Sequence, residues 1–288
     1  MWDTIAKEIS KATGKEFAIK ETRSVGGGCI NQGYKIQSFE QQYFVKLNQA
    51  SLMEMFVAEA CGLQEMYLTK TITIPYPICW GTVGNSCYLV LEWLDLGGRS
   101  NSEAWHKMGQ QLAQMHQQGT NDSFGWNRNN TIGSTPQINT WMDNWADFFA
   151  EQRIGYQLKL AKRRGGSFPD TNQVIAAVKA HLAEREPIPS IVHGDLWSGN
   201  ASITGDGEPV IFDPATYYGD RETDLAMTEL FGGFPPSFYQ GYNQQWALDS
   251  GYQQRKTIYN LYHILNHFNL FGGRYGSQAN SMIRKILN

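Results

Sequence analysis

The stretch Ile191-Val192-His193-Gly194-Asp195-Leu196-Trp197-Ser198-Gly199-Asn200, followed by Val210-Ile211-Phe212-Asp213-Pro214, decides the reading of this 288-residue chain. An acid five positions before an amide has the spacing of the catalytic loop H-R-D-x-x-x-x-N. The carboxylate of Asp195 can accept a hydroxyl proton, and the amide oxygen of Asn200 can hold Mg²⁺. Asp213 ends the next short strand and would complete the metal site, as the aspartate of D-F-G does. Mg²⁺ prefers hard oxygen ligands and takes one or two from protein, the rest from phosphate and water. Asn200 with Asp213 suits that preference. Asx residues also make ordinary loop hydrogen bonds, and His-Gly-Asp alone recurs by chance. The full string, with Asp213 thirteen positions after Asn200, is much harder to obtain that way.

Phosphoryl transfer of this kind makes demands upstream: a strand lysine for the nucleotide α/β-phosphates and a helix glutamate to hold it. Lys46 lies inside Tyr43-Phe44-Val45-Lys46-Leu47, where alternation puts it on the face opposite Val45 and Leu47. A charge inside an apolar strand needs a partner. Glu59, beside Ala60 on the following helix, is the candidate, whereas Glu54 and Glu65 sit off the apolar stripe. Taken alone, the pair reads as well as a snorkelling lysine and a solvated glutamate. Gly26, Gly27 and Gly28 follow one expected strand and precede another; glycines let backbone approach a phosphate without side-chain clash. Neither G-x-G-x-x-G nor a Walker sequence is present, so dinucleotide and P-loop readings fail. Glu92, Trp93 and Leu94 lie where two lobes would join, and their backbone groups could serve adenine.

Composition fits such an architecture. The chain is 41% hydrophobic and 13% aromatic, enough for a large core and not for a disordered protein. At roughly 150 residues per domain, the length suits two domains or one domain with two lobes. The expected fold class is α+β and bilobal. Residues 1–91 form an N-lobe, a small antiparallel sheet with one helix: strands at 17–25, 34–39, 42–47 and 87–91, a helix at 53–69 and turns at 75–84. A connector spans 92–98. A larger, mainly helical C-lobe takes 99–288, with helices near 104–119, 141–164 and 172–184, a strand-loop-strand unit at 191–213 and a helical C-terminus. The formal charge of −3 argues against non-specific binding to nucleic acid or an anionic membrane, both of which need a basic field. No stretch reads as a membrane span or an export signal, so the expected compartment is the cytoplasm. Cys29, Cys61, Cys79 and Cys87 have neither zinc-site spacing nor the density of a disulfide framework.

The segments Gly26-Gly27-Gly28-Cys29-Ile30-Asn31, Phe44-Val45-Lys46, Ala58-Glu59-Ala60 and His193 to Asn200 resemble the fructosamine/ketosamine-3-kinase family. So do 132–141, 148–154 and the string 212–227, and the likeness runs over about residues 20–245. Trp197 after the His-Gly-Asp-Leu core, together with 212–227, separates this family from aminoglycoside and choline kinases. The resemblance implies a protein-kinase-like fold and ATP-dependent phosphorylation of the 3-hydroxyl of a ketosamine, a sugar adduct on a small amine or a protein lysine. The 3-phosphate then leaves, the adduct breaks down and the amine is restored. It further implies that Asp195 is the proton acceptor and that Asn200 and Asp213 ligate Mg²⁺. Lys46 would hold phosphate, Glu59 would orient Lys46, Gly26 to Gly28 would cover the phosphates, and Glu92, Trp93 and Leu94 would contact adenine. Asp224 looks like a brace for the catalytic loop, and His193 like a buried support rather than the base. Trp197 stands where protein kinases commonly carry Lys or Arg, which suits sugar stacking or packing. Cys29, in the glycine loop, suits either reversible oxidation or an inert small residue, since no basic neighbour is evident to lower its pKa. Two alternatives stay open: an aminoglycoside- or choline-type kinase, and a nucleotide-binding pseudokinase scaffold. No A-P-E segment follows Asp213, which disfavours a protein kinase.

Overall fold

Alternation in Tyr43-Phe44-Val45-Lys46-Leu47 sorts side chains onto two faces of a sheet, and each face meets a different core. The computed structural model describes residues 1–26 and 30–288, so the expectations placed on Gly27, Gly28 and Cys29 lie outside the described residues. The N-terminal part comprises α1 (Trp2–Thr13), β1 (Glu21–Val25), β2 (Gln32–Gln37), β3 (Gln42–Gln49), α2 (Met53–Tyr67), β4 (Pro77–Val83) and β5 (Ser86–Glu92). The five strands form one antiparallel sheet in the order β1-β2-β3-β5-β4. Tyr43, Val45 and Leu47 join Ile36, Tyr88 and Val90 against Ile5, Ile9 and Phe17, so α1 covers one face. Phe44, Leu89 and Leu91 join Phe56, Leu63 and Met66 in the main core, so α2 and the C-terminal part cover the other.

This part differs from expectation in two ways. Among the described residues it has two α-helices rather than one. In α1, Ile5, Ala6 and Ile9 are buried on a single helical stripe, and burying each isoleucine contributes about 1.5–3 kcal/mol. The proline- and glycine-containing segment 75–84 also carries a strand, β4. Its pairing with β5 closes through the two-residue loop Gly84-Asn85, and only Gly84 has positive φ, at 58°. Glycine first in such a loop is the II′ preference, whose twist matches the flanking strands.

The C-terminal part opens with α3 (Ser102–Gln118), the hairpin β6 (Asn130–Ile132) and β7 (Thr135–Gln137), α4 (Trp145–Phe148), α5 (Tyr156–Arg163) and α6 (Thr171–Leu182). The side chains of Asn101, Asn144 and Asp170 accept backbone N–H groups in the first turns of α3, α4 and α6, which satisfies donors that helix starts leave open. The helix expected at 141–164 therefore starts only after Asn144, and it passes through a π-helical stretch, Phe149–Gly155, before α5. Then come β8 (Ser190–Val192), β9 (Ala201–Ile203), β10 (Pro209–Ile211), β11 (Tyr217–Gly219), α7 (Glu222–Leu230), α8 (Pro236–Gln245), α9 (Tyr252–Phe271) and α10 (Arg274–Leu287). Two small ribbons, β8–β11 and β9–β10, hold the loop that follows β8. An antiparallel-sheet N-terminal part on a helical C-terminal part is the α+β class expected.

Between the two parts, Gly97 and Gly98 donate to the Ile203 carbonyl and Gly205 donates to that of Asp95. A Cβ on Gly98 would stand 1.8 Å from the Thr204 carbonyl oxygen. Residues 95–98 are thus laid directly onto the end of β9 and the turn after it. Among the described residues, no helix is long and apolar enough to cross a membrane.

Candidate active site

The loop after β8 owes its shape to one glycine and one buried carboxylate. Gly194 has φ of 80°, and a Cβ there would meet the Ala215 carbonyl oxygen at 2.2 Å. Any other residue would be both strained and obstructed. Asp224, fully buried in the first turn of α7, accepts the backbone N–H of His193 at 2.7 Å and of Gly194 at 2.8 Å. His116 adds its Nε2 at 3.1 Å, and its Nδ1 meets the Tyr242 hydroxyl at 2.9 Å. Burial alone would lift the Asp224 carboxyl, but the hydrogen bonds from His116 and from the Gly194 N–H hold it below the usual carboxylate range. His193 donates Nε2–H to the Phe212 carbonyl, and burial pushes its pKa down. It is therefore a neutral support. Sequence reasoning reached Asp224 through resemblance and missed His116, whose link to Asp224 exists only in the folded chain.

Asp195 is half-buried at the mouth of this loop. Burial, followed by the charge of Asp213, pushes its carboxyl up to about 7, while a hydrogen bond from Asn200 works the other way. Asn200 donates Nδ2 to the Asp195 carbonyl at 2.8 Å, to Asp195 Oδ2 at 3.3 Å and to the Asp213 carbonyl at 3.4 Å. All of these contacts involve the amide nitrogen, and none uses Oδ1. Asp213 adopts φ of 58°, one of two non-glycine residues with positive φ among those described. Such a conformation costs energy and recurs at functional sites.

From the sheet, Lys46 completes the arrangement. It is 5% exposed, and its Nζ lies 2.5 Å from Glu59 Oε1 on α2 and 2.5 Å from Asp213 Oδ1. Burial opposes its charge, but Asp213 and Glu59 outweigh this and hold the ammonium well above its usual pKa. Burial lifts the Glu59 carboxyl against the pull of Lys46. The structure thus brings Lys46, Glu59, Asp195, Asn200 and Asp213 into one hydrogen-bonded cluster. Among the described residues no group of three or more His, Cys, Asp or Glu could hold a metal. An Mg²⁺ here would draw on Asn200 Oδ1 and Asp213, with phosphate or water supplying the rest, a donor set that fits its preference.

Of the remaining sequence candidates, Gly27, Gly28 and Cys29 lie outside the described residues. Gly26 has open space at its Cβ position. Glu92 ends β5, where its N–H donates to the Tyr76 carbonyl, and Trp93 carries the Lys35 ammonium 4.4 Å over its ring. Trp197 is 39% exposed, and its ring covers Gly199, where a Cβ would come within 2.4 Å of it. Cys61, Cys79 and Cys87 are free thiols, and burial pushes that of Cys79 up to about 12. One further carboxylate, Glu65 on α2, accepts both Trp126 Nε1–H and the Tyr218 hydroxyl at 2.6 Å. Its position off the apolar stripe gave no sign of either partner.

Comparison with known proteins places this geometry. The fructosamine kinase family pattern matches residues 1–288. A Synechocystis protein named a probable ketoamine kinase is 61% identical over 99% of this chain and 97% of its own length. The Arabidopsis thaliana protein-ribulosamine 3-kinase, chloroplastic, is 44% identical over 95% of this chain and 85% of its own. A Haemophilus somnus crystal structure with the provisional name fructosamine-3-kinase superposes with a TM-score of 0.93 at 34% identity, covering 100% of this chain and 98% of that one. Choline kinase LicA from Streptococcus pneumoniae, at 16% identity and a TM-score of 0.62 over 100% of this chain and 98% of its own, shares the fold. The cleft built around Lys46, Asp195 and Asp213 sits in a protein-kinase-like fold, and the chain belongs to the fructosamine kinase family.

Proposed function

We propose that this protein transfers the γ-phosphoryl group of ATP to the 3-hydroxyl of ketosamines, on small amines or on glycated protein lysines. The observation that carries the reading is Lys46, which joins Glu59 on α2 to Asp213 beside the catalytic loop. In this reading Asp195 orients the acceptor hydroxyl and takes its proton as the ketosamine O3 bonds to the γ-phosphorus. The bond from that phosphorus to the β,γ-bridging oxygen breaks, and ADP leaves. Lys46, held by Glu59, positions the α/β-phosphates. Mg²⁺ held by Asn200 and Asp213 would neutralise phosphate charge. Positioning and electrostatics supply most of catalysis in phosphoryl transfer. Trp197, exposed two residues after Asp195, would offer its ring to the sugar. Backbone groups of Glu92, Trp93 and Leu94 would receive adenine, with Gly26 to Gly28 over the phosphates. Segment 92–98 would separate an N-lobe, 1–91, from a C-lobe, 99–288. The free thiols of Cys61, Cys79 and Cys87 suit a cytoplasmic enzyme.

The test is ADP release from ATP and Mg²⁺ with fructosyl-lysine, ribulosyl-lysine, an aminoglycoside and choline as acceptors. Only the ketosamines should be turned over, and Asp195→Asn should lower kcat about 10²- to 10⁴-fold. Turnover of the aminoglycoside or choline instead, or ATP binding with no turnover of any acceptor, would replace this reading.

A further inference from the structure

We infer that Glu65 is a positioning residue for the nucleotide site: it clamps α2 to the ribbon carrying the catalytic loop and so keeps Glu59 on Lys46. The inference rests on the kinase reading above. Glu65 lies on the same helix as Glu59, six residues further on. Its two carboxylate oxygens are divided between two donors of the C-terminal part, Oε1 accepting from Tyr218 and Oε2 from Trp126, each at 2.6 Å. No cation pairs with it among the described residues. Its bonds therefore fix geometry rather than neutralise charge.

The two donors form one unit. Gly125, next to Trp126, exchanges both backbone hydrogen bonds with Tyr218, and Tyr218 pairs with Ile191 in the β11–β8 ribbon, two residues before His193. A second contact lies between the two glutamates. At Gly62 a Cβ would stand 2.9 Å from Thr216 Oγ1 and 3.7 Å from Trp126 Cη2. The helix backbone thus lies directly on the segment running from Asp213 to β11. Burial, then the neighbouring Glu65 carboxylate, pushes the Tyr218 hydroxyl pKa up, so it stays a donor at any working pH. In kinases the placement of this helix governs whether the lysine–glutamate pair forms. Here the helix that carries Glu59 is tied to the same ribbon that presents Asp195.

The test compares wild type with Glu65→Ala, Tyr218→Phe, Glu59→Ala and the Glu65→Ala/Glu59→Ala double variant. ATP Kd is measured by calorimetry, and KM is measured separately for ATP and for fructosyl-lysine. Glu65→Ala should weaken ATP roughly tenfold and Tyr218→Phe less, with the KM for fructosyl-lysine unchanged. Because Glu65 acts through Glu59, its substitution should add little once Glu59 is gone, a non-additivity the double-mutant cycle reads directly. Should Glu65→Ala fail to fold, Tyr218→Phe removes one hydroxyl with the ring kept and carries the same comparison. An unchanged ATP affinity accompanied by a lower melting temperature would make Glu65 merely structural and overturn the inference. So would fully multiplicative effects in the double variant. Wild type that binds ATP yet phosphorylates no ketosamine would sink the substrate assignment alone, since the ATP Kd comparison still decides the role of Glu65.

Discussion

Asp224 shows how much of this site depends on single buried groups. Its two oxygens hold the N–H groups of His193 and Gly194 and the ring of His116. Asparagine in its place would turn an amide N–H toward one of these donors, at about 1–3 kcal/mol per donor left unpaired. Asp224→Asn should therefore lower both the melting temperature and kcat; an unchanged kcat would mean that the loop keeps its shape without the brace. His263 on α9 offers a pH test. Burial first, then repulsion from His267, pushes its pKa down from 6.5 to about 3, while Asp224 pulls the other way and Arg153 adds to the drop. Among the described residues its Nδ1 has no hydrogen-bond partner. The folded ring refuses a proton that the unfolded chain binds, so the unfolded state holds more protons throughout that window. Stability is complete above about pH 6.5 and falls as the pH drops toward 3, by at most about 1.4 kcal/mol per pH unit. Melting curves of His263→Phe should show a shallower decline between pH 6.5 and 5 than wild type; identical slopes would exclude this ring as the source. Asp195, Asn200 and Asp213 were legible because a loop fixes their spacing in sequence. His116 and Glu65 were not, because their partners lie 108 residues away at Asp224 and 153 away at Tyr218.

Elements meet most closely where α3 crosses α8. A Cβ on Gly109 would lie 2.0 Å from the Phe238 carbonyl oxygen, and one on Gly241 would lie 2.0 Å from that of His106. Two glycines, one on each helix, let the backbones touch. Gly109→Ala should push the helices apart and cost about 1–3 kcal/mol in the manner of overpacking, read as a melting temperature lower by several degrees. A variant as stable as wild type would show that the crossing relaxes freely. Hydrophobic periodicity found α2 and α3 because their stripes run over 15 and 17 residues. It passed over α1, although Ile5, Ala6 and Ile9 lie on one stripe of its twelve residues. It also misread β4, since Pro77 and Gly81 lie within a strand at the edge of the sheet, where such residues are tolerated. The start of α4 was set by the Asn144 cap rather than by the aromatic run that begins at Trp141.

Across the whole molecule, the proposed catalytic site draws on residues far apart in the chain. Lys46 and Asp213 are 167 residues apart in sequence and in direct contact, one from the sheet and the other from the loop after β10. The sequence pattern identified both residues, and only the fold could bring them together. Lys46→Met should raise the ATP KM and depress kcat while leaving the fructosyl-lysine KM near wild type; a variant that loses only fructosyl-lysine affinity would place Lys46 in the acceptor site. The most direct measurement follows fructosyl-lysine, ATP and Mg²⁺ with the wild-type protein by ³¹P–¹H correlation NMR. A new phosphate ester coupled to H3 of the ketose, growing in step with ADP and followed by free lysine, is the predicted result. Phosphorus on any other carbon, or ADP formed with no sugar phosphate, would contradict the account.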